Sequence, residues 1–190
     1  FLDKKKNILI KNLINLSKVY NSRKVNSLVL LNYCEGLEYF LLWCQQLIAE
    51  SLGKKGKGKI PLISIGPRDH HSLLQLYLDG PKDSFFYIFS LHNKKKISKN
   101  KGFFVDVLNN KDTNEVIENQ KKALITLFKN KKIPFLSIEM KKRNEETLGE
   151  LFSYFILETV FMGENLKVDP FSQPAVEQLK TLTKNNLFKK

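Results

Sequence analysis

Between residues 27 and 140, short apolar runs alternate with longer segments of helical period, and few folds accommodate that alternation. The runs are "SLVLLNY" (27–33), "KIPLISIG" (59–66), "SFFYIFS" (84–90) and "IPFLSIEM" (133–140). Each is strand-length and bounded by polar or turn residues. Between them lie "CEGLEYFLLWCQQLIAESLG" (34–53), stopped by Gly53, and "DHHSLLQLYLDG" (69–80), which opens on a capping aspartate and closes on Gly-Pro. A further helix, "TNEVIENQKKALITLFKNKK" (113–132), precedes the fourth run. Helices are also predicted at 6–20, 145–166 and 173–185, the last with Pro174 in its first turn, and 93–102 is a lysine-rich surface loop. The strand runs read as apolar on both faces. The expected fold is therefore α/β, a three-layer αβα arrangement with a mainly parallel sheet flanked by helices. Ligands of such sheets bind beyond the carboxyl ends of the strands, where the loop Gly66-Pro67-Arg68-Asp69 belongs.

Length and composition narrow the function classes. The 190 residues suffice for one domain with a core, and 42% hydrophobic content argues against disorder. No apolar run is long enough to span a bilayer, and the start at Phe1 suggests that residues lie upstream. The net charge of +13 invites a nucleic-acid reading, but arginine occurs only at Arg23, Arg68 and Arg143. Lysine, the poorer reader of bases, dominates, so neither a nucleic-acid nor a membrane partner is expected. A positive surface still attracts small anionic substrates. Cys34 and Cys44 read as free buried thiols of a reducing cytoplasm, without companions at zinc spacing. No dinucleotide or nucleotide-phosphate motif is present. "GKKGKGK" (53–59) precedes a strand rather than a helix and reads as a basic surface turn.

Two positions invite acid–base readings. Glu50 is near the carboxyl end of a long apolar helix, where helix polarity disfavours a second negative charge, as suits a proton-abstracting base. Gln46 lies one turn earlier on the same face. Position alone favours an exposed helix-end glutamate. His71 is in the first turn of a helix after a strand, a place that disfavours an imidazolium, whereas His70 points about 100° away. Either histidine taken alone reads as a capping or surface residue. Nothing in the spacing singles out Lys180.

Four ordered blocks decide more. "QLIAESLGK" (46–54), "GPRDHHSLLQLYLDGP" (66–81), "LGELFSYFILET" (148–159) and "GENLKVDPFSQPAVEQLK" (163–180) resemble successive blocks of the carboxyl-terminal half of phosphoglucose isomerases, from about Lys11 to Asn185. The resemblance implies a second sugar-isomerase (SIS) domain plus carboxyl-terminal helices over residues 1–190, with the amino-terminal SIS domain outside this chain. It implies interconversion of glucose 6-phosphate and fructose 6-phosphate without metal or organic cofactor. Glu50 falls on the glutamate that carries the proton between C1 and C2 through a cis-enediol, and Gln46 on a substrate-contacting glutamine. His71 falls on the histidine that helps open the sugar ring and comes from the neighbouring subunit, with His70 in place of the usual glutamine. Lys180 falls on a lysine of ring opening, and Gln173 on a glutamine near the substrate phosphate.

The departures are Leu52 for a frequent asparagine, Ser172 for aspartate, Pro174 for tryptophan and Ala175 for glycine. None removes a proton carrier. The Ser/Thr-rich phosphate loop and the Gly-Gly-Arg segment of the resemblance are expected upstream of Phe1, so half an acid–base site is expected here. A homodimer with shared active sites follows from the resemblance, with the amino-terminal half supplied in cis or in trans. Glu50, His71 and Lys180 are all expected near the carboxyl edge of the sheet. The alternative is a non-catalytic sugar-phosphate-binding SIS domain with a regulatory or structural role.

Overall fold

A computed structural model describes residues 4–92 and 112–188; the expected lysine-rich loop at 93–102 lies outside the described residues. The elements are α1 (Lys4–Asn21), β1 (Ser27–Asn32), α2 (Glu38–Leu52), β2 (Ile60–Ile65), α3 (Arg68–Ser72), α4 (Leu74–Asp79), β3 (Ser84–Leu91), α5 (Thr113–Asn130), β4 (Phe135–Met140), α6 (Glu145–Leu166) and α7 (Pro174–Phe188). The four strands form one sheet in the order β2-β1-β3-β4, and every pairing is parallel.

Side chains of a strand alternate between faces, and the two faces of β1 build two cores. Leu28 and Leu30 join Leu16 of α1, Leu41 and Ile48 of α2, and Phe155 and Met162 of α6. Val29 and Leu31 face the other way, with Phe86 and Ile88 of β3 and Leu124 and Phe128 of α5. Each such fully buried side chain is worth about 1.5–3 kcal/mol before entropy is counted. The result is the expected three-layer α/β/α architecture.

Only β1 and β3 are buried on both faces. The expectation for β2 and β4 is corrected: they are the sheet edges, and Ile60 and Leu62 of β2 are 63% and 46% exposed. A second correction concerns residues 69–80. They form two short helices, with Leu73 (φ −122°, ψ −13°) as the joint. Asp69 is not the cap; Pro67 is, and it makes no side-chain cap bond. The third correction is at residue 34: α2 begins only at Glu38, after a turn in which Gly36 has φ +80°. By contrast α6 spans the predicted 145–166, opened by Asn144, whose side chain accepts from the Thr147 amide at 3.1 Å. Helix α7 buries no residue.

Candidate active site

In parallel β/α units each helix runs back from the carboxyl edge of the sheet to the amino edge. Glu50, in the last turn of α2, is therefore at the amino edge. Its carboxylate accepts a 3.1 Å hydrogen bond from the Gln46 amide one turn earlier. Glu50 is half-buried and Gln46 exposed.

The turn that follows α2 is built on lysine. Lys54 Nζ donates to the Ser51 and Asp169 carbonyls, Lys57 Nζ to the Leu166 carbonyl, and Lys59 Nζ to the Ser22 and Val25 carbonyls. These carbonyls close α2, α6 and the link from α1 to β1, where helix dipoles concentrate negative charge. The "GKKGKGK" segment is thus more than a basic surface turn: three ammonium groups tie the helix ends together. Gly58 (φ +94°) permits the turn, since a Cβ there would meet the Leu52 carbonyl at 2.8 Å. The Lys54–Asp169 bond also anchors the segment that leads to Gln173 and α7. Gln173 and Lys180 are exposed, and Lys180 pairs with Glu177 on its own helix at 2.7 Å.

His71 lies at the other edge, after β2, on the five-residue α3. It belongs to the last turn of that helix rather than the opening of a long one. Its side chain is exposed and has no hydrogen-bond partner among the described residues. Six residues of strand at about 3.3 Å each put roughly 20 Å between the two edges. The expected common carboxyl-edge location is therefore corrected: Glu50 and Gln46 are at the amino edge, where the segment leading to α7 is anchored, and His71 is at the carboxyl edge. One chain does not bring Glu50 and His71 together.

The histidines point apart, as 100° per residue demands. His70 turns inward, and its Nε2 shares a hydrogen bond with the Tyr33 hydroxyl. Burial lowers the basicity of His70, against the pull of nearby Asp69. Asp69 is buried, and its carboxylate accepts from Arg68 Nε at 2.8 Å, the Ile65 amide at 2.7 Å and the Ser64 hydroxyl at 3.0 Å. The Arg68 bond first, then the Ile65 and Ser64 bonds, hold its carboxyl down at about 2 in spite of burial.

Sequence reasoning missed a second feature of this edge. A cavity of about 360 Å³ opens between the ends of β1 and β3, lined in part by Asn32, Ser90, Glu118, Lys121 and Arg143. Lys121 is only 5% exposed; its ammonium reaches Glu118 at 2.8 Å and Ser90 Oγ at 3.2 Å. The signal was present: Lys121, Leu124 and Phe128 follow an i, i+3, i+7 spacing on the buried face of α5. Both thiols, Cys34 and Cys44, are free and buried, as expected. Among the described residues, no helix is long and apolar enough to cross a membrane, and no group of His, Cys, Asp or Glu side chains is arranged to hold a metal.

No family model matches the chain. It is 36% identical over 167 residues to the glucose-6-phosphate isomerase of Methanocaldococcus jannaschii, covering 86% of this chain and 41% of that protein. To the glucose-6-phosphate isomerase of Mycoplasmopsis synoviae it is 34% identical, covering 90% of this chain and 40% of the relative. Its fold matches a crystal structure of a hypothetical protein from Thermus thermophilus (TM-score 0.86, 22% identity, 97% of this chain and 46% of that one). It also matches the crystal structure of a glucose-6-phosphate isomerase from Chlamydia trachomatis (TM-score 0.75, 17% identity, 94% and 38%). The chain belongs to the glucose-6-phosphate isomerase family and spans about two-fifths of the length of the curated relatives it matches.

Proposed function

We propose that this chain supplies the proton-transfer part of an enzyme interconverting glucose 6-phosphate and fructose 6-phosphate. The observation that carries the proposal is the Gln46–Glu50 pair at a half-buried helix end, in a chain of this family. Glu50 takes the proton from C2 of the open-chain aldose and returns it to C1 of the resulting cis-enediol. The Gln46 amide fixes the carboxylate, so the base arrives oriented. Lys180 and His71 serve ring opening, and Gln173 lies towards the phosphate. Developing charge on the enediolate needs preorganised donors. Those, with the phosphate cradle, are assigned to an amino-terminal SIS domain in cis or in trans.

The opposite-edge positions of Glu50 and His71 support a site shared by two copies of the chain, with His71 of one facing Glu50 of the other. Two buried free thiols support a reducing compartment such as the cytoplasm.

The test uses the complete protein. Glu50→Gln keeps the shape and removes the proton acceptor, so turnover should fall about 10²–10⁴-fold. Affinity for an open-chain inhibitor should stay unchanged. Unaltered turnover would overturn the assignment of Glu50, whereas a parent protein that binds sugar phosphate without turning it over would favour a domain that only binds. Residues 1–190 alone should fold yet give no useful isomerisation, because proximity and charge stabilisation each supply a large part of the rate.

A further inference from the structure

An exposed side chain on a five-residue helix does not hold one direction unaided. The residues around His71 show how it could. Tyr33 follows β1, and its amide donates to the Phe89 carbonyl at 2.8 Å, so it is tied to the sheet. Its hydroxyl shares the hydrogen bond with His70 Nε2, and the two rings meet edge-on with centroids 5.6 Å apart. The Tyr33 ring lies across Gly66, where a Cβ would come within 2.6 Å of it. On the other side Asp69 ties α3 back to Ser64 and Ile65 at the end of β2. The short helix is therefore held from two neighbouring strands. Because neighbours on a helix differ by about 100°, fixing His70 inward fixes His71 outward.

We infer that Tyr33 and His70 are positioning residues for His71: the phenol–imidazole bond holds the ring-opening histidine in the one direction in which a neighbouring copy can use it. This rests on the role proposed above for His71. The lowered basicity of His70 agrees with it, since a neutral ring keeps a lone pair for the tyrosine hydroxyl.

The test measures two partial reactions of the complete protein. Interconversion of the substrate anomers needs only ring opening; solvent-hydrogen exchange at C2 of an open-chain substrate needs only proton transfer. Tyr33→Phe should slow anomer interconversion roughly 10- to 100-fold, the scale of a small misplacement, and leave C2 exchange and open-chain inhibitor affinity unchanged. His70→Leu should do the same, and the double variant should be no worse than either single one. His70→Gln should retain most of the wild-type rate, because a glutamine amide reaches about as far as Nε2 and still pairs with the phenol. His71→Ala separates the two ideas. If it slows anomer interconversion while Tyr33→Phe does not, the positioning pair is refuted. If His71→Ala has no effect, the proposed role of His71 fails, and the inference with it. A Tyr33→Phe variant that loses both partial reactions equally, along with its Tm, would show a merely structural role.

Discussion

The two edges of this sheet solve opposite electrostatic problems. The amino edge gathers the ends of α2 and α6 and the link from α1 to β1, and Lys54, Lys57 and Lys59 supply cations to their carbonyls. The carboxyl edge gathers strand ends and helix starts, where amides lack partners, and the Asp69 carboxylate collects an amide, a hydroxyl and a guanidinium. The groups that tie each edge thus follow chain direction, and the buried Lys121 at the carboxyl edge is paired with Glu118 at 2.8 Å. The two residues proposed for proton transfer sit differently: Glu50 is held by a side-chain amide beside a lysine-rich turn, whereas His71 is exposed to solvent.

The largest expected effect belongs to a carboxyl group midway between the edges. Glu158 of α6 is 1% exposed and accepts from the Tyr87 hydroxyl at 2.6 Å. Among the described residues no cation pairs with it. Burial pushes its carboxyl up to about 7, opposed by the hydroxyls of Tyr87 and Tyr154. The unfolded chain releases this proton near the ordinary 4.5, while the folded chain keeps it to about 7. The folded state therefore binds more protons in that window, and stability should fall as pH rises through it, by about 3 kcal/mol in all. Urea unfolding at pH 5 and pH 8 measures the drop. Glu158→Gln should flatten it; an unchanged slope would mean that the buried carboxyl does not titrate as placed.

Asp69 should show the opposite sign. Its carboxyl is held at about 2, so its contribution is complete above its unfolded value of 3.8 and is lost as pH falls from about 4 to 2. Arg68 is exposed, which screens its share, and the contribution should be about 1–2 kcal/mol. Comparing Asp69→Asn with the parent during acid unfolding isolates it. Equal acid profiles would show that the carboxyl edge is not organised by this charge.

The sequence made the layers legible but not the edges. All four strands and α6 were readable because apolar runs and helical period record burial directly. The run "IPLISI" looks as buried as "SLVLLN", yet it forms an edge strand. Strand order is set by long-range pairing, which a local pattern does not carry. The break at Leu73 was hidden because "DHHSLLQLYLDG" has good helical period throughout, while the Asp69 carboxylate bonds backwards to β2 instead of capping forwards. Glu50 and His71 stand out as candidates only through the ordered blocks. Their opposite edges follow only when the direction of α2 is traced. The cation–carbonyl contacts of the lysine turn had no signal in spacing, since Gly56 and Gly58 at positive φ set where the side chains go.

The smallest expected effect tests that turn. Lys59 Nζ donates to two carbonyls, Ser22 O and Val25 O, and burial lowers the basicity of its amine. Lys59→Met keeps the aliphatic stem and removes only the ammonium. A hydrogen bond to a charged group is worth about 1.5–3 kcal/mol when buried. This amine is partly hydrated and water can replace it, so a loss of about 1 kcal/mol is expected. Lys24, exposed two residues beyond Ser22, is the control, and Lys24→Met should stay within about 0.5 kcal/mol of the parent. Paired urea denaturation curves resolve that difference as a shift in midpoint at constant slope. If both variants cost the same, the ammonium groups of the amino edge would be ordinary surface charge. The contrast between a cation-held and an anion-held edge would then reduce to Asp69 alone.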